Sequence, residues 1–387
     1  MTRRWPWLVL VSFVCALLLV QTWSKAHRVD GNDLTSYLLS ARALWEGRSP
    51  YSPDTPFPYV YPMLLAFALI PWLALPYGAA VIAWFAASVA ALGAMLSTTT
   101  CGRAVAMGAT AAITFGAIQN TLLNGQVNFF VVLCCVLAVV AARSGREISA
   151  GMWLGAGVAF KLMPALLGLY FLVRGRGKAI AVTAAAALVL ALVPGILLGD
   201  RAWDAYADYA RQFLIPVLKD PPAARQDAMV FSLGGVVHGW LGEGAPRWVG
   251  PACALAVVAA TAAVDLLRWR PRSQDLAAGA AYMLAIVLVS PKSEIHHLAF
   301  VIPAVAVCCT WWLSGESRTA AWPAAAMIAA SLGLMGARLA GPLQGTVICA
   351  ALLLLGIALA GLSPSSASPQ GNPRSSSSSP SCRAGVP

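Results

Sequence analysis

Long apolar runs separated by short polar turns occupy almost the whole chain. The runs lie at about residues 5–23, 104–119, 127–142, 148–160, 162–173, 179–199, 248–267, 275–290, 295–313, 320–338 and 342–361. The longer ones approach the ~20 residues that an α-helix needs to cross the hydrocarbon core of a bilayer. The pattern therefore predicts an all-α polytopic membrane protein with about 11–13 membrane helices, some of them short or re-entrant.

Two regions do not divide evenly into full spans. Between residues 58 and 97, two apolar runs are split near Leu75-Pro76-Tyr77. Residues 148–173 connect one basic turn to the next in 26 residues, with Lys161-Leu162-Met163-Pro164 in the middle. That length is too short for two complete spans. We expect two short or broken helices whose junction points toward the outer half of the membrane.

Composition and charge support the membrane class. Apolar residues make up 59% of the chain and charged residues 11%, with a mean hydropathy of +0.73, whereas soluble domains carry about 25% charged residues. The net charge of +11 lies largely in short clusters that are typical of cytoplasmic loops and not of a nucleic-acid-binding face. We expect one integral membrane domain over 1–362 and a disordered, cytoplasmic, Ser/Pro-rich tail over 363–387.

The basic clusters also predict the topology. Arg3-Arg4 place the N-terminus in the cytoplasm, so the first helix delivers residues 24–57 to the outer face. Counting from there, residues 120–128, the Lys161 junction, 200–227 and 290–297 also lie outside. Most polar groups able to do chemistry thus converge on one face, which predicts an extracytoplasmic site in a multi-pass protein of the cell membrane.

The first outer loop contains a candidate helix. From Asp33 to Glu46, apolar residues recur on roughly one face: Leu34, Tyr37, Leu38, Ala41, Leu44 and Trp45. This pattern predicts an amphipathic helix lying in the membrane interface. Asp33 would begin this helix, and it could simply be the N-cap. Asp30 could be a turn residue. In the loop 200–227, aromatic and carboxylate side chains suit carbohydrate, but an amphipathic surface helix is the simpler interpretation.

Metal chemistry gains little support from the sequence. There is no HExxH motif and no His-Cys cluster. Asp30 and Asp33 are three residues apart and could share a divalent ion, but two carboxylates at this spacing are a weak signal. We therefore expect no metal and no other cofactor.

The order of short motifs resembles the polyprenol-phosphate-mannose-dependent mannosyltransferases of glycosyltransferase family 87, which have the C-type glycosyltransferase fold. The matching segments run in order through roughly residues 1–310. They are Asp33-Leu34-x-x-Tyr37, Gly47 with Pro50-Tyr51, Tyr59-x-Tyr61-Pro62, Asn124-Gly125-Gln126-Val127-Asn128, Lys161-Leu162-x-Pro164 and Ser290-Pro291-x-Ser293-x-x-His296-His297. The sequence departs from the family at Glu294, where Trp is common.

The resemblance implies a catalytic aspartate in the first outer loop, and by motif position this is Asp33. A lipid-phosphate sugar donor carries its own leaving group, so the enzyme needs a base for the acceptor hydroxyl and cations for the phosphate. We expect Lys161, Lys292 and His296 to bind the donor phosphate, and the resemblance favours His297 as the second catalytic residue. The expected sugar- or acceptor-binding residues are Tyr37, Asn124, Gln126 and Asn128.

Each of these assignments has a structural alternative. Lys161 could extend to a lipid headgroup. The two histidines could hydrogen-bond a helix end, and adjacent residues on a helix point about 100° apart, so only one is expected to face the site. The three amides could cap helices instead of binding sugar hydroxyls.

The predicted function is transfer of mannose from a polyprenyl-phosphate donor to a lipid-linked glycan acceptor on the extracytoplasmic face, with Asp33 as general base. The expected partners are the donor, the acceptor and membrane lipids, and no nucleic acid. One alternative is the same enzyme type with a pentose (arabinose) donor. Another is a transporter or flippase for lipid-linked sugars. Transport is disfavoured because no internal repeat is visible and the candidate residues cluster on one face.

Overall fold

The computed structural model describes residues 5–28, 31–53, 55, 57–215, 232–242, 244–268, 274–290, 293–313 and 343–361. Every regular element in these ranges is helical, which confirms the all-α prediction. The predicted run at 320–338 and the predicted tail at 363–387 lie outside the described residues.

The α-helices are numbered in chain order over the described residues. They are α1 (Trp5–Ala26), α2 (Asp33–Trp45), α3 (Met63–Ala68), α4 (Tyr77–Thr99), α5 (Ala104–Ile113), α6 (Phe115–Leu123), α7 (Asn128–Arg143), α8 (Glu147–Phe160), α9 (Gly168–Val173), α10 (Gly177–Leu198), α11 (Asp200–Tyr209), α12 (Leu233–Leu241), α13 (Val249–Arg268), α14 (Asp275–Val289), α15 (Ile302–Leu313) and α16 (Leu343–Gly361). Short 3-10 helices occur at Ile70–Ala74, Met163–Leu167 and Ile295–Val301, and a π-helical turn at Ala210–Leu214.

Several helices have the length and apolarity of membrane spans. Five segments of the described chain meet both criteria: Val9–Ala26, Tyr77–Thr99, Gly177–Leu198, Val249–Arg268 and Ile295–Leu313. Six further apolar helical segments are shorter, at Met63–Ala74, Ala104–Ile113, Asn128–Arg143, Met163–Val173, Asp275–Val289 and Gly345–Ala360. The protein is therefore a multi-pass membrane protein built from long and short helices together.

Both predicted irregularities are present as breaks between helices. A 3-10 turn ends at Ala74, and α4 begins after Pro76. Helix α8 ends at Phe160, where Lys161 takes an extended conformation (φ −154°, ψ 127°). Pro164 then lies in the first turn of the next 3-10 helix, where its missing N–H costs no helical hydrogen bond.

The apolar run at 104–119 forms two helices, and the second of them continues to Leu123. The break falls at Thr114, between α5 and α6. The hydroxyls of Thr110 and Thr114 donate to the carbonyls of Ala106 and Thr110 at 2.7 and 2.8 Å. Threonine hydroxyls that bond the carbonyl four residues back bend helices.

Helices α8 and α10 approach each other closely along a glycine seam. A Cβ atom at Gly151 would lie 2.6 Å from the carbonyl oxygen of Ala179, and one at Gly155 would lie 2.7 Å from the Cβ of Ala186. Small residues four apart let two membrane helices pack backbone to backbone. This seam sets the position of α8, whose C-terminal end carries Lys161.

Helix α14 is the most enclosed part of the bundle. It is buried over nearly its whole length and packs against α7, α13, α15 and α16. Its 15 residues span about 22 Å at 1.5 Å per residue. Asp275 begins the helix, and the segment 293–297 follows its other end, so α14 connects two separate polar regions.

The first of these regions is an arginine–aspartate cluster formed by Arg174, Arg176, Asp265 and Asp275. Arg174 donates to Asp265 at 2.6 and 3.0 Å and also bonds Asp275. Arg176 donates to Asp275 at 2.8 Å. The two aspartate side chains are 0% exposed, and the side chains of Arg174 and Arg176 are 9% and 11% exposed. Two cations and two anions therefore cancel within a buried network.

Candidate functional site

Asp33 is the first residue of α2 but not its cap. The cap is Asn32, whose side chain accepts from the N–H of Thr35 at 3.2 Å, while its own N–H donates to the Thr35 hydroxyl at 3.1 Å. The alternative that Asp33 is the N-cap is therefore wrong. Since Asn32 caps the helix, the Asp33 carboxylate is not used as the cap and can act in the candidate site.

Helix α2 is present where it was predicted, but it is packed into the protein on more than one side. Leu34, Tyr37, Ala41 and Leu44 form the predicted apolar face and are buried. The same helix also buries small residues on a second side, Ser36, Ser40 and Ala43. Trp45, predicted to share the apolar face, is 62% exposed. Because α2 is packed on two sides, its first residue, Asp33, is held in a defined position.

A tight turn between α6 and α7 lies against the start of α2. Gly125 has a positive φ of +62°, and a Cβ there would lie 2.9 Å from the Cβ of Leu34, so only glycine fits without strain. The Gly125 carbonyl accepts from the indole N–H of Trp84 at 2.8 Å. The backbone N–H of Asp33 donates to the carbonyl of Asn124 at 2.9 Å. The turn is thereby fixed beside Asp33.

Gln126 connects Asp33 to two buried tyrosines. Its Nε2 donates to Asp33 Oδ2 at 2.5 Å. Its Oε1 accepts from the hydroxyls of Tyr61 at 2.9 Å and Tyr37 at 3.3 Å. Because tyrosine hydroxyls donate to Oε1, they orient the amide so that its NH₂ group points to the carboxylate. Tyr37 is 1% exposed, and its hydroxyl therefore acts on Gln126.

Lys161 adjoins the same group of residues through Asn128 and Tyr61. Its Nζ donates to Asn128 Oδ1 at 2.9 Å and lies 5.3 Å from the centre of the Tyr61 ring. Asn128 in turn donates from Nδ2 to the carbonyl of His296 at 2.8 Å. The side chain is 8% exposed, so its ammonium points into the protein and not toward a lipid headgroup.

The two histidines follow Glu294 in a 3-10 helix. His297 Nδ1 accepts from the backbone N–H of Glu294 at 2.9 Å, which agrees with the helix-end alternative for this ring. A nitrogen that accepts a hydrogen bond carries no proton, so His297 is the neutral tautomer with its proton on Nε2. His296 Nδ1 lies 3.7 Å from Glu294 Oε2, and the ring centroids of His296 and His297 are 4.1 Å apart.

Burial dominates the electrostatics of Asp33 and raises the pKa of its carboxyl group to about 6. The nearby charge of Glu294 raises this pKa further. The Gln126 hydrogen bond and the positive charges of Lys161 and Lys25 lower it. A carboxylate in this range is ionised at neutral pH and is a stronger base than an exposed aspartate.

Lys25 is a residue that the sequence analysis missed. It lies in the last turn of α1, and its Nζ hydrogen-bonds to Asn124 Oδ1. Asn124 also donates from Nδ2 to the carbonyl of Asn120 at 2.7 Å. This bond caps the C-terminal end of α6, in agreement with the alternative that the amides cap helices. A lysine two residues beyond the end of the first apolar run was the available signal.

The structure thus joins most of the predicted site residues through a chain of contacts. Asp33, Tyr37, Asn124 and Gln126 meet at the start of α2, and Asn128 connects Lys161 to the histidine segment. Lys292 lies outside the described residues. Among the residues that are described, no group of three or more His, Cys, Asp or Glu side chains is arranged to hold a metal ion.

Comparison with known sequences adds the family. The sequence model that defines glycosyltransferase family 87 matches residues 59–291 of this chain. This segment contains Gln126, Asn128 and Lys161. The chain belongs to glycosyltransferase family 87. It is therefore a membrane glycosyltransferase, and the resemblance noted in its motifs is confirmed.

Two proteins similar to this chain are polyprenol-phosphate-mannose-dependent alpha-(1-2)-phosphatidylinositol pentamannoside mannosyltransferases. The Mycolicibacterium smegmatis protein is 30% identical over 332 residues, which cover 81% of this chain and 76% of that protein. The Mycobacterium tuberculosis protein is 29% identical over 280 residues, covering 69% of this chain and 61% of that protein. A crystal structure of ArnT from Cupriavidus metallidurans bound to undecaprenyl phosphate matches with a TM-score of 0.47 at 16% identity, covering 92% of this chain and 77% of that one.

Proposed function

We propose that this glycosyltransferase moves mannose from a polyprenyl-phosphate donor to a hydroxyl of a lipid-linked glycan on the extracytoplasmic face, with Asp33 as general base. The donor and sugar follow from the names of the similar mannosyltransferases. The observation that carries the chemistry is the hydrogen-bonded, partly buried carboxylate of Asp33 with two lysine charges acting on it.

In the proposed reaction, Asp33 accepts the proton of the acceptor hydroxyl as its oxygen attacks the anomeric carbon of mannose. The bond from that carbon to the phosphate oxygen breaks, and its electron pair leaves with polyprenyl phosphate. Attack opposite the leaving group inverts the anomeric carbon. Gln126 holds Oδ2 of the carboxylate, which leaves Oδ1 to receive the proton.

The leaving phosphate gains negative charge as the bond breaks, and nearby donors stabilise it. Lys161, Lys292 and His296 are proposed for this role. His297 supplies an uncharged Nε2–H donor, because its Nδ1 is occupied by the Glu294 N–H. This tautomer supports a role for His297 as hydrogen-bond donor and not as proton acceptor.

The sugar- or acceptor-binding roles of Tyr37, Asn124, Gln126 and Asn128 remain predictions. Their hydrogen bonds favour a positioning role for part of the set, since Tyr37 and Gln126 orient Asp33 and Asn128 orients Lys161. Asn124, which accepts from half-buried Lys25, is the member of the set that we expect to be most accessible to substrate.

The test is transfer by the purified protein in nanodiscs containing labelled polyprenyl-phosphate mannose and a phosphatidylinositol mannoside acceptor. We expect a glycolipid heavier by one hexose in mass spectrometry with the wild type, and loss of this product with Asp33→Asn. Product formation by Asp33→Asn at the wild-type rate would remove Asp33 as base. A parallel reaction with polyprenyl-phosphate arabinose separates the pentose alternative, and lipid translocation with no new glycosidic bond would favour a flippase.

Sidedness needs a separate measurement. Single cysteines at Arg48 and at Arg146, in a variant without native cysteines, would be labelled in intact cells with a membrane-impermeant maleimide. We expect labelling of position 48 only. Labelling of position 146 alone would place Asp33 on the cytoplasmic side and contradict the proposal.

A further inference from the structure

Lys25 lies where an apolar helix leaves the membrane. Val9–Ala26 forms a candidate membrane span, and Lys25 is in the last turn of the same helix. A lysine at the end of an apolar span lies at the depth of the lipid headgroups. This is the depth at which the phosphate of a membrane-anchored polyprenyl phosphate must also lie.

Lys25 is connected to the base through Asn124. Its Nζ hydrogen-bonds to Asn124 Oδ1, and the Asn124 carbonyl accepts from the Asp33 N–H at 2.9 Å. The positive charge of Lys25 also acts on the Asp33 carboxylate. Lys25 is therefore part of the same site, and it approaches Asp33 from α1, whereas Lys161 approaches from the end of α8.

The two lysines differ in how well a ligand can reach them. Lys161 is 8% exposed, its Nζ bonds Asn128, and its ammonium lies over the Tyr61 ring. Lys25 is only half-buried. An ammonium group has three N–H donors, and Asn124 takes one of those on Lys25. Two donors at headgroup depth can thus bond a phosphate oxygen.

We propose that Lys25 binds the phosphate of the polyprenyl-phosphate donor, as a further cation beside those already proposed for this role. The proposal rests on the proposed function for the identity of the donor. As the bond between the anomeric carbon and the phosphate oxygen breaks, the electron pair passes to that oxygen and Lys25 offsets the added charge. Lys25 keeps its proton throughout.

Binding can be measured without any transfer reaction. The probe is undecaprenyl phosphate added to the detergent-purified protein, with the melting temperature as readout, because a ligand that binds the folded state stabilises it. We expect stabilisation of the wild type and of Lys25→Arg, and its loss in Lys25→Met. Lys178→Met is the matched control, since Lys178 is an exposed lysine in the first turn of α10, on the arginine–aspartate side. Equal stabilisation of Lys25→Met and wild type would overturn the proposal.

A second arm separates the donor from bulk lipid. Phosphatidylglycerol replaces undecaprenyl phosphate at the same concentration. We expect little stabilisation of the wild type by phosphatidylglycerol. If it stabilised the wild type as strongly as undecaprenyl phosphate did, and Lys25→Met lost both effects, then Lys25 would be a general headgroup contact, contrary to the proposal. Should Lys25→Met fail to fold, Lys25→Gln carries the same comparison.

Kinetics then separate binding from positioning. Loss of a hydrogen bond to a charged group predicts an increase of about ten- to a hundredfold in donor KM for Lys25→Met, with a smaller change in kcat. If Asn124→Ala gave the same increase, Lys25 would act only by holding Asn124, and the proposal would fail. If the wild type bound undecaprenyl phosphate but transferred no mannose, the proposed function would fail and the phosphate assignment would stand.

Discussion

The two ends of α14 carry polar clusters of opposite design. At one end, Asp265 and Asp275 are paired directly with Arg174 and Arg176, so that buried charge is neutralised within the protein. Near the other end, Asp33 accepts from a neutral amide. Among the described residues, no lysine or arginine nitrogen lies within 4.0 Å of the Asp33 carboxylate, although Lys161 and Lys25 act on it electrostatically.

This difference separates a structural cluster from a reactive one. Both carboxylate oxygens of Asp275 are taken up by arginine side chains of the protein itself. Asp33 is partly buried and held by an amide, its negative charge has no direct ion-pair partner among the described residues, and its raised pKa keeps it basic. The comparison predicts that substitutions at the two ends affect different measurements, stability at one end and catalysis at the other.

The largest expected effect is on catalysis by Asp33→Asn. General base catalysis contributes about 10²- to 10⁴-fold, so we expect kcat to fall by at least a hundredfold. The melting temperature should stay the same or rise, because the substitution removes a buried charge that burial disfavours. Mannose transfer and thermal unfolding measured on the same preparation test both halves. A large loss of stability would place Asp33 with the structural cluster.

The next largest effect is on stability by Asp275→Asn. Removing one partner of a buried ion pair leaves uncompensated charge and costs about 3–5 kcal/mol. We expect a lower melting temperature and poor recovery of folded protein, with near-normal specific activity in what remains folded. Glu147→Gln is the matched control, since Glu147 is also an acidic residue in the first turn of a helix, and it should change stability by less than about 1 kcal/mol. Equal melting temperatures for the two variants would contradict the comparison.

A smaller effect is expected in the pH dependence. Since Asp33 must be ionised to act as base, the rate should fall as the pH drops through about 6. Lys161→Met removes a charge that favours the ionised form and should move this acid limb to higher pH. The corresponding contribution to stability has the opposite sign. Because the folded-state pKa lies above the unfolded value of 3.8, the folded protein binds the proton more tightly between about pH 4 and 6, and stability increases as the pH falls there.

A pH–rate profile of the wild type and Lys161→Met tests this prediction. Lys25→Met should move the limb less, since Lys25 has the smaller effect on Asp33. An acid limb at the same pH in wild type and Lys161→Met would exclude Lys161 as the group that tunes Asp33.

The smallest expected effect is that of Gln126→Leu. The variant removes one hydrogen bond to Asp33 and leaves the tyrosine hydroxyls without their acceptor. Since a hydrogen bond to a charged group contributes about 1.5–3 kcal/mol, we expect kcat to fall by roughly ten- to a hundredfold with donor KM little changed. A change confined to KM would instead favour direct sugar binding by Gln126, as the sequence analysis predicted.

Much of the architecture could be predicted from the sequence. The apolar runs defined the helices because segment length and hydropathy are local properties, and the proline after Lys161 indicated a break. The meeting of Asp33 with the Asn124–Asn128 turn and Lys161 was expected because topology placed these segments on one face. Gly125 shows why the turn fits, since its positive φ allows close contact with Leu34.

The pairing of side chains across distant segments could not be predicted in the same way. The Gln126–Asp33 bond joins residues 93 apart, and a pattern of amides does not reveal which partner each one meets. Lys25 was overlooked because a basic residue that flanks an apolar run is usually a topological marker. Asp265 and Asp275 were overlooked for a related reason: the arginines near them were interpreted as loop signals, although a carboxylate within an apolar run indicated a buried ion pair.

The close packing of α8 against α10 requires that Gly151 and Gly155 have no side chain, and the position of Lys161 depends on that packing. Gly155 lies five residues before the end of α8, about 8 Å along its axis, and Lys161 follows directly. A single methyl group at Gly155 would push the two helices apart and displace the ammonium from Asn128 without touching any reacting atom. We therefore expect Gly155→Ala to lower enzyme activity from within the helix bundle, although it changes neither charge nor polarity.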